Sequence, residues 1–245
     1  MARAGVDGFG PKVLLRRAAR ASLRSTTSVE TTARLAALTF DDGPDDRLTP
    51  AVLDVLARAD VQATFFLVAE RARDNPGLAR RVADAGHDIG LHGDRHVDVR
   101  GSGLREQYRA VRRGRRDLER ITGRPVVWFR PPYGKQDAQT VIACRAAGMR
   151  CLLWSASALD WQDRSIPDQV ARARLGLRPG AVVLLHDGAA DPVEPPPRVP
   201  PNQPELLERL LDELGNQGLG AVPFSELCAS GTPVQEPWFG SWLHY

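Results

Sequence analysis

The feature that most limits how this 245-residue chain can fold is an alternation that starts at Arg34. Short apolar or β-branched runs stand at 34–40 (RLAALTF), 62–68 (QATFFLV), 88–91 (DIGL), 126–130 (VVWFR), 150–155 (RCLLWS), 181–186 (AVVLLH) and 220–224 (GAVPF). Each has the length and residue types of a strand. Between them lie stretches of helical spacing. Val52, Leu53, Val55 and Leu56 mark one over 50–59, and Leu206, Leu207, Leu210, Leu211 and Leu214 mark another over 203–217. Residues 76–85, 136–147 and 168–176 are also compatible with helix. Strands that alternate with helices predict an α/β fold of mainly parallel strands with helices outside, as a barrel or an open sheet. The chain shows no internal repeat.

Composition removes several alternatives. A hydrophobic content of 42% with 26% charged residues fits a globular protein with a sizeable core and argues against disorder. The 33 basic residues are nearly matched by 30 acidic ones, for a net charge of +3, so no nucleic-acid partner is expected. The densest basic stretch, 105–120, sits on a helical pattern whose apolar stripe is Leu104, Tyr108, Val111, Leu118 and Ile121. Its arginines are read as the solvated side of an outer helix rather than a polyanion site. Cys144, Cys151 and Cys228 are odd in number and form no Cys-x-x-Cys pair, which fits reduced thiols in a cytosolic protein.

The ends read differently from the middle. Residues 1–33 form a basic arm that includes Arg16-Arg17 but no apolar run of secretory length, so a cytoplasmic location is expected. Residues 11–24 suit a short basic amphipathic helix on a membrane or on the domain, with a frayed arm as the alternative. No later segment reaches the ~20 apolar residues of a membrane span. Residues 34–230 make up the central domain. Within it, 191–204 carries seven prolines and is expected as an extended, stiff loop. The tail, 231–245, is too rich in Pro and Gly for regular structure, and its Trp238, Phe239 and Trp242 are expected to cover apolar surface.

In parallel α/β folds chemistry gathers beyond the carboxyl ends of the strands. The polar residues there are Asp41 and Asp42, His92 and His96, Arg130 and Tyr133, Asp160 and Trp161, and His186 and Asp187. In LTFDDGP (38–44) two carboxylates stand side by side where an apolar run breaks into a turn. Adjacent acids repel, so a positive partner is needed nearby. HGDRH (92–96) spaces two imidazoles four residues apart, close enough to hold one metal from one tight loop. With one carboxylate they make a two-His-one-acid set with open positions, suited to catalytic Zn²⁺ or to iron. If Asp42 supplies that carboxylate, Asp41 stays ionised beside the cation and can act as a base on the water held there. Arg130 can grip Asp41 and keep it off the metal. His186 can give a proton to a leaving group, with Asp160 orienting its ring and raising its pKa. Singly, Arg130 and Asp160 also read as a buried ion pair and His186 as a hydrogen-bonded histidine. Their joint occurrence at successive strand ends points to chemistry.

At these residues the sequence resembles the polysaccharide deacetylases of carbohydrate esterase family 4, over about residues 34–230 and through five motifs in order. TFDDGP implies Asp41 as catalytic base and Asp42 as metal ligand, and HGDRH implies His92 and His96 as the other ligands. RPPYG implies Arg130 as the residue that positions the base and the backbone N–H of Tyr133 as an oxyanion donor. LDW implies Asp160 behind the acid and Trp161 lining the pocket. LLHD implies Leu184 against the acetyl methyl and His186 as general acid. The family fold is a distorted (β/α)7 barrel, which the strand count allows. Two positions depart from the family pattern: Gly93 replaces a Ser or Thr, and Ser157 stands where an acid is usual. Altered loop geometry or substrate preference is expected from them.

The resemblance implies removal of an N-acetyl group from an amino sugar in an oligosaccharide, polysaccharide or glycoconjugate. The implied cofactor is a divalent metal, Zn²⁺ first, with Co²⁺ or Ni²⁺ as alternatives. The partner is an N-acetylated carbohydrate, and contact with a membrane or a lipid-linked glycan would give the basic arm and aromatic tail a purpose. Two alternatives are a hydrolase of a non-sugar amide on the same metal site and a non-catalytic glycan-binding domain.

Overall fold

Strands that are apolar along their whole length must be covered on both faces, and the arrangement here follows from that need. A computed structural model describes residues 23–189 and 202–237. In chain order its elements are β1 (Ser25–Glu30), β2 (Leu35–Asp41), α1 (Leu48–Arg58), β3 (Thr64–Leu67), α2 (Ala69–Asp74), α3 (Pro76–Asp84), β4 (Asp88–Leu91), α4 (Leu104–Thr122), β5 (Trp128–Phe129), α5 (Ala138–Ala146), β6 (Arg150–Cys151), β7 (Ala156–Ser157), α6 (Ile166–Arg174), β8 (Val182–His186), α7 (Gln203–Asn216), β9 (Gly220–Val222), α8 (Phe224–Ala229) and β10 (Thr232–Glu236).

Seven parallel strands run in the order β6-β5-β4-β3-β2-β8-β7, with β9 added alongside the first residues of β2. The sheet curls into a distorted (β/α)7 barrel. Its end strands do not pair with each other. Across that gap lies β1, which accepts a hydrogen bond from Leu153 N at Thr26 O and donates one from Val29 N to Gly180 O. Successive residues of β2 divide between two cores, as the period of two requires. Leu38 and Phe40 join Phe65, Leu67, Val183 and Leu185 beneath the outer helices, and Phe40 stacks on Phe65 with ring centres 5.0 Å apart. Ala37, Phe66 and Val182 face inward with Val29, Trp128, Leu152 and Phe224. The inward positions that follow, Thr39 and Asp41 on β2 and Leu184 and His186 on β8, continue that face toward the strand ends.

Each of the seven expected strands has a counterpart, and the helical segments at 50–59, 76–85, 105–120, 136–147, 168–176 and 203–217 correspond to α1, α3, α4, α5, α6 and α7. The helix starts are chemically marked. Asn75 and Ser165 accept from Leu78 N and Asp168 N, and Asp137 with Thr140 forms a capping box. The expectation for the tail is corrected over 232–236. Those residues form β10, antiparallel to β1, which itself falls inside the segment expected as a basic arm. Pro233 is tolerated because this two-stranded ribbon leaves its missing N–H on an edge. Residues 11–22, 190–201 and the aromatic residues Trp238, Phe239 and Trp242 lie outside the described residues. Among the described residues no helix is long and apolar enough to cross a membrane.

Candidate active site

The parallel register brings the strand-end residues to one place. Asp41, the last residue of β2, is the register partner of His186, the last residue of β8. His92 follows β4 directly, and Arg130 follows β5 and donates its backbone N–H to Leu91 O.

Asp42, His92 and His96 are all buried, and their ligand atoms lie within 4.8 Å of one another. The Nε2 atoms of His92 and His96 stand 3.2 and 3.1 Å from Asp42 Oδ1, yet that oxygen accepts no well-directed hydrogen bond among the described residues. A buried carboxylate oxygen left bare and facing two imidazole nitrogens fits a cation better than a proton-mediated contact. His92 is oriented for that role, because its Nδ1 lies 3.0 Å from Arg130 O and, as donor there, leaves Nε2 with a lone pair. Burial pushes the Asp42 carboxyl upward, but the imidazoles of His92 and His96 beside it and the charge of His186 outweigh that and hold the carboxyl well below its usual range. Asp42 has φ 77°, a left-handed backbone that few non-glycine residues adopt, so the turn that presents this carboxylate is strained.

Asp41 is held differently. Arg130, with no exposed surface, donates from Nη1 to Asp41 Oδ1 at 2.7 Å and to Thr39 Oγ1 at 2.9 Å. Its Nε and Nη2 donate to Leu152 O and Leu153 O, and its guanidinium lies 4.1 Å from the Phe66 ring centre. Burial pulls the Arg130 pKa down, and the Asp41 carboxylate opposes that fall. The guanidinium therefore uses four acceptors to fix one carboxylate beside the metal-competent trio.

On the other flank, His186 Nδ1 lies 2.8 Å from Asp160 Oδ1, and His186 N donates to Asp160 Oδ2 at 2.8 Å. Burial opposes protonation of His186, but the charge and hydrogen bond of Asp160, with the charges of Asp42 and Asp41, carry its pKa up to about 10. Trp161, 44% exposed, packs edge-on to this imidazole with ring centres 5.2 Å apart. Tyr133, 47% exposed and with φ 60°, places its ring 4.5 Å from that of His96. Leu184 is buried on the same strand face as His186. Asp41, the Asp42–His92–His96 trio and His186 thus gather at neighbouring strand ends, with the half-exposed rings of Trp161 and Tyr133 packed against His186 and His96.

Among the supporting residues, Asp187 stands at a strand end in the sequence reading without a role, and Asp94 and Gln203 are not singled out there. Asp187 is fully buried, accepts from Thr49 Oγ1 at 2.6 Å and from Gly43 N at 3.2 Å, and donates its own N–H to Asp41 O. Burial and the charges of Asp42 and Asp41 raise its carboxyl to about 7, against the Thr49 bond. A Cβ at Gly43 would run into this carboxylate, which is why the turn after Asp42 needs glycine. Asp94 receives Arg73 Nη1 at 2.9 Å and a fork from Arg113 at 3.1 and 2.5 Å, tying the loop from His92 to His96 to α2 and α4. Gln203 donates to Asp160 Oδ2 at 2.9 Å. The acid inside HGDRH and the acid after LLH were visible signals, and Gln203 carried none. Of the two departures, Gly93 has φ +92° and a Cβ there would press on Arg95 O at 2.7 Å, so this loop is shaped around glycine. Ser157 Oγ accepts from Leu159 N and shapes the turn before Asp160.

Comparison with known proteins follows the same lines. A polysaccharide deacetylase family model matches residues 28–152. The chain is 32% identical to the peptidoglycan-N-acetylglucosamine deacetylase of Bacillus cereus over 217 residues, 88% of this chain and 98% of that protein. It is 38% identical to the chitooligosaccharide deacetylase of Sinorhizobium fredii over 152 residues, covering 62% of this chain and 71% of the relative. The solved structure of Bc1960 peptidoglycan N-acetylglucosamine deacetylase superposes with a TM-score of 0.75 at 26% identity, covering 92% of this chain and all of that one.

Proposed function

This chain belongs to the polysaccharide deacetylase family, and on that premise we propose that it is a metal-dependent hydrolase that removes acetate from an N-acetylated amino sugar of a glycan. The observation that carries the reading is the bare, buried Asp42 Oδ1 facing His92 and His96, with Asp41 held on one side and His186 on the other. Asp42, His92 and His96 would hold the cation, with Zn²⁺ favoured by two imidazoles and one carboxylate. A bound divalent ion supplies Lewis acidity toward the amide carbonyl and lowers the pKa of water.

The chain's own groups supply the proton traffic. Asp41, held in place by Arg130, takes a proton from the attacking water, whose oxygen forms the new bond to the acetyl carbon. The Tyr133 backbone N–H is assigned to the charge that develops on the carbonyl oxygen, a contact typically worth ~3 kcal/mol in the transition state. His186, held protonated by Asp160, gives its proton to the amide nitrogen as the C–N bond breaks, so that a neutral amine leaves instead of an anion. Acetate and the free amino sugar result. Trp161 and Tyr133 would stack against the sugar and Leu184 against the acetyl methyl.

Acetate release from N-acetylated oligosaccharides, measured with chelator-treated and metal-reloaded protein, tests this directly. Loss on stripping and recovery on reloading is expected; a protein that holds the sugar and releases no acetate would instead be a glycan-binding domain.

A further inference from the structure

Asp42 presents its carboxylate from a left-handed backbone, and a turn of that kind persists only where its surroundings over-determine it. The contacts around it do so. Asp41 O accepts from Asp187 N at 3.0 Å, Asp42 O from Arg71 Nη1 at 2.7 Å and Gly43 O from Val68 N at 2.8 Å, while Gly43 N donates to Asp187 Oδ1 at 3.2 Å. Of these residues, Asp187 grips the turn on both sides of Asp42, with its N–H before and its carboxyl after.

Asp187 directly follows β8 and has no exposed surface. Its other carboxyl oxygen receives Thr49 Oγ1 at 2.6 Å. Thr49, equally buried, accepts Asp45 N on the same hydroxyl at 2.8 Å, so the carboxyl is tied to the first turn of α1 and held against Gly43. Both of these donors to the carboxyl, Gly43 N and Thr49 Oγ1, are neutral. An acid buried against neutral donors costs more than an apolar side chain of the same size, so a residue that merely filled this space would be apolar. The fit is close as well: a Cβ on Gly43 would overlap the Asp187 carboxyl.

We propose that Asp187 is a positioning residue for the metal seat: braced by Thr49, it fixes the peptide groups on either side of Asp42 and so aims that carboxylate at the ion shared with His92 and His96. This rests on the reading of those three residues as ligands and adds a residue that acts through them.

Calorimetric Zn²⁺ titration of folded, chelator-stripped protein and the visible spectrum of its Co²⁺ form read the seat without any turnover. Asp187→Ala removes the acceptor of Gly43 N and should weaken Zn²⁺ binding about 10–100-fold, with altered Co²⁺ bands. Asp187→Asn keeps an oxygen toward Gly43 and should recover most of that loss. Thr49→Val leaves Asp187 and the turn unaltered, serves if Asp187→Ala does not fold, and should weaken binding about 3–10-fold. Wild-type Zn²⁺ affinity and Co²⁺ bands in the folded variants, with only a lowered Tm, would make Asp187 a structural residue and overturn the proposal. Equal losses in the Ala and Asn variants would overturn it too. If Asp187→Ala loses Zn²⁺ as expected while wild type releases no acetate from any N-acetylated sugar, the deacetylase reading fails and the positioning role stands. A wild type that binds neither ion removes the ligand reading and this proposal together.

Discussion

Asp41 and Asp42 are neighbours in sequence, and what each oxygen touches separates their chemistry: a guanidinium for the first, two imidazole nitrogens for the second. Asp41→Asn keeps the shape but cannot take a proton. It should lower kcat by about 10²–10⁴, the usual worth of a general base, while metal content stays at the wild-type level. Arg130→Ala should be worse for folding, because it leaves Asp41 buried and unpaired, at about 3–5 kcal/mol by denaturant unfolding. His186 sets a pH signature. Its pKa rises from 6.5 to about 10 on folding, so its contribution to stability is complete below 6.5 and is lost as pH climbs through about 10. Asp160→Asn removes the main charge behind that rise. The alkaline decline of both stability and acetate release should then move to lower pH, by at least about one unit. An unmoved decline would show that His186 is not the group being titrated.

The loop from His92 to His96 behaves as one element. Gly93 gives it a left-handed step, and Asp94 pins it to Arg73 and Arg113. Asp94→Ala should weaken Zn²⁺ binding about 10–100-fold, as lost outer support of metal ligands does, with the fold retained. Gly93→Ser, which restores the usual family residue, should destabilise by about 1–2 kcal/mol, since both the backbone and Arg95 O resist a Cβ. Calorimetric Zn²⁺ titration and thermal unfolding read the two effects. At this scale the sequence was informative where a pattern is local. Leu206, Leu210 and Leu214 announce α7, and the buried runs at 34–40 and 181–186 announce β2 and β8. It was uninformative where stability comes from a distant partner. β1 and β10 are polar and short, β10 lying between Gly231 and Pro237, and they become strands because each supplies the other's hydrogen bonds across some two hundred residues. Gln203 is invisible for the same reason: only the fold brings it to Asp160.

For the whole molecule, parallel strands deliver their last residues to one rim, and the curl of the sheet brings β2, β4, β5, β7 and β8 within reach of one cleft. A strap of β1 across the unpaired ends takes the place of full closure. The motif order and the geometry are both consistent with the proposed ligand set of Asp42, His92 and His96, three side chains from two separate segments that could hold one ion. The most direct test of that set is a titration of chelator-stripped protein with Zn²⁺ in which acetate release from an N-acetylated oligosaccharide is followed against metal added. Activity should rise linearly and saturate at one equivalent per chain, and should not appear in His96→Ala. Full acetate release from the stripped protein, or normal saturation in His96→Ala, would contradict the account.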